Sequence, residues 1–166
     1  ARLPGYVEAN AHLAQTMMLT GDTAGAKQVV SAALQTDRHP ALLDLAAQLG
    51  LGSVEAARAG WERYLAALPK AFSDHAARFY LGAGKDPKRA LELAQANLAN
   101  RDVPEARELV VRAALATGDT TTACQVAAPL ADAALRADRF TAWQAFSRCG
   151  RTADADRLAK ALGITP

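Results

Sequence analysis

The sequence predicts an all-α fold, a right-handed α-solenoid of about five helix–turn–helix units and about ten helices. Three observations carry that expectation. Alanine fills 41 of 166 positions, while isoleucine occurs once, at Ile164. Alanine is the best helix former, and strands favour the β-branched and aromatic side chains that are scarce here. The phrase GDTAGA at 21–26 returns as GDTTTA at 118–123. Finally, glycines at 21, 52, 84, 118 and 150 each precede a helix-start signal, at spacings of 31, 32, 34 and 32 residues. A period of about 33 residues marks a repeat array.

The elements follow in order. Unit one, residues 6–37, reads YVEANAHLAQTMMLT as helix A, turns at Gly21, and opens helix B at Asp22 or Thr23. Unit two, 38–69, turns at Gly52 and restarts at Ser53 into SVEAARAGWERYLAALP. Unit three, 70–102, turns within Gly82–Asp86, and Asp86-Pro87 opens its helix B with proline in the first turn. Unit four, 103–135, turns at Gly118 and restarts at Asp119 or Thr120. Its Pro129 falls inside helix B, so a break is expected between Ala123 and Ala133. Unit five, 136–163, turns at Gly150 and restarts at Thr152. Ser, Thr and Asp are the residue types that cap helix N-termini, and proline is tolerated at the first helical position. Pro40, Pro69 and Pro104 punctuate the connections. The whole chain, 1–166, is expected to be one such domain. It lacks an initiator methionine and reads as a segment of something longer.

Phase within the unit adds detail. With the turn glycine as position 15, Ala14, Ala77 and Val111 hold position 8, and Leu45 and Trp143 are larger exceptions. Position 11 carries Met17, Gln48, Tyr80, Ala114 and Phe146. Position 20 is Ala26, Ala57, Ala123 and Ala155, with Ala90 taking the role in unit three. Position 24 gives Val30, Trp61, Leu93, Ala127 and Ala159. Position 27 gives Ala33, Tyr64, Ala96, Leu130 and Leu162, and Pro69 stands at 32. On these residues the chain resembles the tetratricopeptide repeat (TPR) family, in divergent form, over residues 6–163. The resemblance implies helical hairpins with small residues at positions 8 and 20. It departs at position 4, where Asn10, Ala41, Ser73, Arg107 and Arg139 stand in place of tryptophan.

The physics runs the same way. A lone helix pair cannot bury its apolar face, so pairs stack and each covers the next. Trp61, Tyr64, Phe79 and Tyr80 are expected as core fillers around units two and three, with Phe140, Trp143 and Phe146 anchoring unit five. Charged residues of the B helices, such as Lys27, Glu55, Arg58 and Arg157, read as a solvated face.

Several function classes are disfavoured. The formal charge of +2, from 19 basic and 17 acidic residues, argues against a nucleic-acid surface, which needs clustered Lys and Arg. No apolar run reaches the roughly 18 residues that span a bilayer, so the chain reads as soluble, its compartment left open. His12, His39 and His75 fall in different units without helical ligand spacing, so no metal site is expected. GAGKDPKRA lacks the strand and the Gly-Lys-Ser/Thr of a phosphate loop. No catalytic motif is present, so neither an enzyme nor a cofactor is expected. The alanine- and arginine-rich composition suggests a bacterial source.

What remains is an interaction module. In stacked helix pairs of this kind the A helices line a concave surface. The candidate groove residues are Gln15, Met18, Leu42, Asp74, Arg78, Glu108, Arg112, Gln144 and Arg148. Arg78 and Arg112, one repeat apart, suit a carboxylate or an acidic protein segment. The competing reading is that Glu108 and Arg112, at i and i+4, simply pair with each other. The expected function is thus non-catalytic protein–protein binding in the groove. The alternative is a structural or self-assembly role through the terminal helices. Cys124 and Cys149 should be neighbours at one edge of the array. They form either a disulfide, if the compartment is oxidising, or a pair of small buried residues.

Overall fold

The computed structural model describes residues 6–164. Among them every regular element is helical: α1 (Val7–Leu19), α2 (Thr23–Leu34), α3 (Pro40–Gln48), α4 (Val54–Ala67), α5 (Pro69–Leu81), α6 (Pro87–Asn100), α7 (Pro104–Thr117), α8 (Thr120–Ala127), α9 (Arg136–Cys149) and α10 (Thr152–Leu162). A short 3₁₀ turn, Ala128–Leu130, follows α8. Pro129 therefore ends the helix where its missing donor and ring demand it. Helices pair as α1/α2, α3/α4, α7/α8 and α9/α10, and the A helices also pack, α1 on α3 and α7 on α9.

The chain forms two compact units. The first runs to His75 and includes Gly82–Gly84; the second takes Ala76–Leu81 and everything from Lys85 onward. In the first, Ala14, Ala26, Val30, Leu42 and Leu45 lead the core. In the second, Val111, Ala123, Leu130, Phe146 and Leu158 do so. Ala26, Ala57, Ala90 and Ala123 have no exposed surface. A methyl group there lets helix B lie close against its neighbours, and a larger side chain would overpack the contact. Trp61, Phe79, Tyr80 and Phe146 are buried as the pattern requires. Phe140 departs from expectation at 41% exposure, while Trp143 and Tyr64 are half-buried.

One backbone device closes the hairpins. Gly21, Gly118 and Gly150 adopt left-handed φ values of 86°, 80° and 80°. The next residue's N–H then reaches back five residues, Asp22 to Met17, Asp119 to Ala114 and Arg151 to Phe146, at 2.8, 2.9 and 3.0 Å. This is the Schellman closure, which satisfies a carbonyl the helix leaves open. The third turn holds one residue more. Lys85 takes the left-handed position at φ 49°, and the Asp86 N–H reaches Tyr80 O at 2.9 Å. Helix B then starts on a side-chain cap. Asp22, Ser53, Asp86 and Asp119 accept from the backbone N–H of Gly25, Ala56, Arg89 and Thr122. At the fifth start the N-cap is Arg151 rather than Thr152, with no side-chain cap. Arg151 instead pairs with Asp154 at 2.6 Å and lies 4.2 Å over the Phe146 ring.

The second hairpin corrects the sequence frame. Its left-handed residue is Gly50, at φ 72°, and the Leu51 N–H closes onto Ala46 O at 2.7 Å. Gly52 lies beyond the closure, just before the Ser53 cap. Helix α3 thus runs two positions out of the phase set by Gly52, a rotation of about 200°. Leu42, expected on the binding face, is 1% exposed and belongs to the core. Asp44 and Gln48 take the outer side of α3, joined by a hydrogen bond of 3.0 Å.

Candidate functional site

The remaining A-helix candidates are accessible. Gln15, Arg78, Arg112, Gln144 and Arg148 are exposed, and Met18, Asp74 and Glu108 are half-buried. Their immediate neighbours Ala14, Ala77, Val111 and Ala145 are fully buried. The helix period therefore turns a polar side chain outward beside each small core residue. Arg112 Nη1 stands 3.5 Å from Glu108 Oε1, so this guanidinium spends part of its charge on its own helix. Such exposed pairs contribute little stability and open readily.

In the first unit the structure gathers residues that the sequence kept apart. A hollow of about 100 Å³ is lined by Glu8, His12, Gln15, His39, Phe72 and His75, with Val7, Ala11 and Ala41. All three histidines of the chain meet there, from α1, from the residue that caps α3, and from α5. His39 Nδ1 accepts the Ala41 N–H at 3.2 Å, capping α3. That bond requires an unprotonated Nδ1, so Nε2 carries the proton of the neutral ring. The His39 ring meets Tyr64 edge-on at 4.9 Å and Trp61 at 5.9 Å. His75 stacks parallel to Trp61 at 6.1 Å. Burial holds the His39 imidazole below the ordinary histidine value. Asp37 and Glu8 pull it back up, and His75 acts with burial. His12 and His75 occupy the same position of units one and three, which was the legible signal. His39, the cap of α3, holds a different repeat position from these two whether Gly50 or Gly52 sets the frame, so periodicity did not link it to them. Among the described residues no three His, Cys, Asp or Glu side chains meet as metal ligands would.

The second unit holds another hollow, about 180 Å³, lined by Leu115, Trp143, Gln144, Ser147 and Arg148. It brings two sequence candidates, Gln144 and Arg148, together beside an aromatic pair, Phe140 and Trp143, at 5.2 Å. Nearby on α9, Asp138 is 7% exposed. Burial, then the Glu105 and Glu108 carboxylates, raise its pKa. At the edge of the same unit Cys124 and Cys149 are joined as a disulfide, with Cα atoms 6.2 Å apart. The link ties the start of α8 to the end of α9, the ends that the Gly118 and Gly150 turns bring to one side.

No protein-family model and no curated protein matches this chain. Two solved structures do. One is a Podosopora anserina protein described as a kinesin light chain with nearly identical TPR-like repeats, 22% identical, TM-score 0.64, covering 98% of this chain and 95% of that one. The other is a point variant of it, at 21% identity and TM-score 0.63 over the same extents. At this identity the likeness defines the fold, a divergent TPR-like array of helical hairpins.

Proposed function

We propose that the chain is a non-catalytic interaction module whose A-helix faces hold a segment of a partner protein. The observation that carries this reading is the exposure of Gln15, Arg78, Arg112 and Gln144 beside fully buried neighbours on the same helices. Gln15 turns outward in the first unit, and Arg78, Arg112 and Gln144 do so in the second, where a bound segment would meet guanidiniums and an amide. Arg78, Arg112 and Arg148 fit carboxylates, since each fork matches two oxygens. Gln15, Met18 and Asp74 offer further contacts in the first unit, and Glu108 and Gln144 in the second. Leu42 does not belong to it.

The test is to capture partners on the immobilised chain and then titrate the captured segment calorimetrically. Arg78→Ala with Arg112→Ala should weaken binding about tenfold or more, the scale of one or two charge-assisted bonds. Unchanged affinity would remove these faces from the binding surface.

A further inference from the structure

We propose that the hollow between α1, the start of α3 and α5 receives the cationic head of a lysine or arginine side chain from the partner segment, and that protons compete with it. This rests on the interaction reading above and names the chemistry of one contact. Unprotonated, the three imidazoles offer lone pairs and ring faces. Glu8 is the carboxylate in the lining, and Asp37 adds its negative field to that of Glu8 at His39. Gln15 supplies an amide oxygen, and Phe72 an aromatic face. A cation gains from both the carboxylate and the rings. A carboxylate ligand would meet Glu8 as a like charge. An aliphatic side chain would cover the imidazole nitrogens without replacing their hydrogen bonds with water. The size also fits a head group: about 100 Å³ is well below the ~300 Å³ at which small-molecule pockets begin.

The same geometry makes acid the competitor. His12 Nε2 is 3.9 Å from Glu8 Oε2, and His75 Nε2 is 3.9 Å from Asp74 Oδ1. Once protonated, each imidazole faces a carboxylate on its own helix and adds positive charge to the hollow. From α4, Trp61 and Tyr64 pack against the imidazole rings and bring neither a carboxylate nor a cation. His39 responds last, because its Nδ1 is committed to the Ala41 N–H. Acid should therefore weaken binding of the cation.

The experiment is an amide NMR titration of the full chain with Nα-acetyl-arginine amide, with the citrulline compound as the uncharged counterpart. At about pH 8 the arginine probe should give saturable shifts confined to Glu8, Ala11, His12, Gln15, Ala41, Phe72 and His75, and citrulline should not. At about pH 5.5 affinity should drop about tenfold. Glu8→Gln, an exposed change, should abolish the effect at the higher pH. His12→Gln with His75→Gln should weaken binding there, because two of the ring faces are lost, and should lose most of the acid sensitivity. Equal shifts from citrulline, shifts scattered over the surface, or affinity that rises in acid would overturn the proposal. A captured partner segment that binds equally at both pH values, with its basic residues replaced, overturns it too while the interaction reading stands. Arginine binding without any segment binding has the reverse meaning.

Discussion

Lys85 is the one described residue other than glycine with positive φ, at 49°. It stands where glycine closes the other hairpins, and an L side chain in that region costs about 1 kcal/mol. Lys85→Gly should relieve that strain, less the entropy glycine loses on folding. The expected gain is about 0.5 kcal/mol, seen as a higher urea midpoint with unchanged slope. Asp138 makes a pH-dependent cost. Its folded pKa is raised by burial above the ordinary aspartate value of 3.8. Between the unfolded and folded values the native chain holds the extra proton. The favourable contribution is therefore complete below about 3.8 and fades as pH rises through the folded value. Asp138→Asn should remove that fading. Its stability relative to the parent should climb as pH rises above about 4 in paired urea titrations, and parallel curves would show that Asp138 does not titrate this way.

Helices meet closely where alanine and glycine permit. Gly60 on α4 is the tightest buried case: a Cβ there would lie 3.0 Å from Pro40 Cβ and 3.5 Å from Leu43 Cδ1. Proline's ring cannot move aside, so Gly60→Ala must push α4 off α3. A loss of about 1–3 kcal/mol is expected by thermal or urea unfolding. A cap acts at the start of the same helix. Ser53 Oγ accepts the Ala56 N–H at 3.2 Å, and Ser53→Ala should cost about 1 kcal/mol. Helix α10 presents its apolar residues Ala155, Leu158 and Leu162 inward and keeps Arg151, Asp156, Arg157 and Lys160 exposed. That polar outer face disfavours the self-assembly alternative at this end, because stacking another helix there would desolvate charges.

At the scale of the molecule, the two compact units need not lose structure together, since stacked repeats are coupled only to their neighbours. The Cys124–Cys149 link closes a loop of 25 residues' separation wholly within the second unit. Reduction should lower that unit's stability by about 3 kcal/mol, through the freedom returned to its unfolded state. Hydrogen exchange should register the loss for amides of α7–α10 and leave α1–α4 unchanged. A thiol assay of unreduced, unfolded protein should find none; two per chain would mean that the link is absent from that sample.

The all-α class, the hairpin count and most turn positions were legible in the sequence, because they rest on local physics. Alanine content, N-cap residues and a recurring glycine act over a few residues and need no distant partner. Pro129 was legible for the same reason, as a break at α8. The phase of α3 was not. Gly50 and Gly52 both suit a left-handed turn, and only packing selects Gly50, because that choice buries Leu42, Ala46 and Leu49. The candidate site divides the same way. Exposed Gln15, Arg78 and Arg112 followed from helical period, whereas the meeting of His12, His39 and His75 did not. Those three are 27 and 36 residues apart in sequence, and periodicity alone specifies neither how helices stack nor which side chains share a hollow. Tertiary packing decided that, through small residues that let α1, α3 and α4 approach and a cap that turns His39 inward.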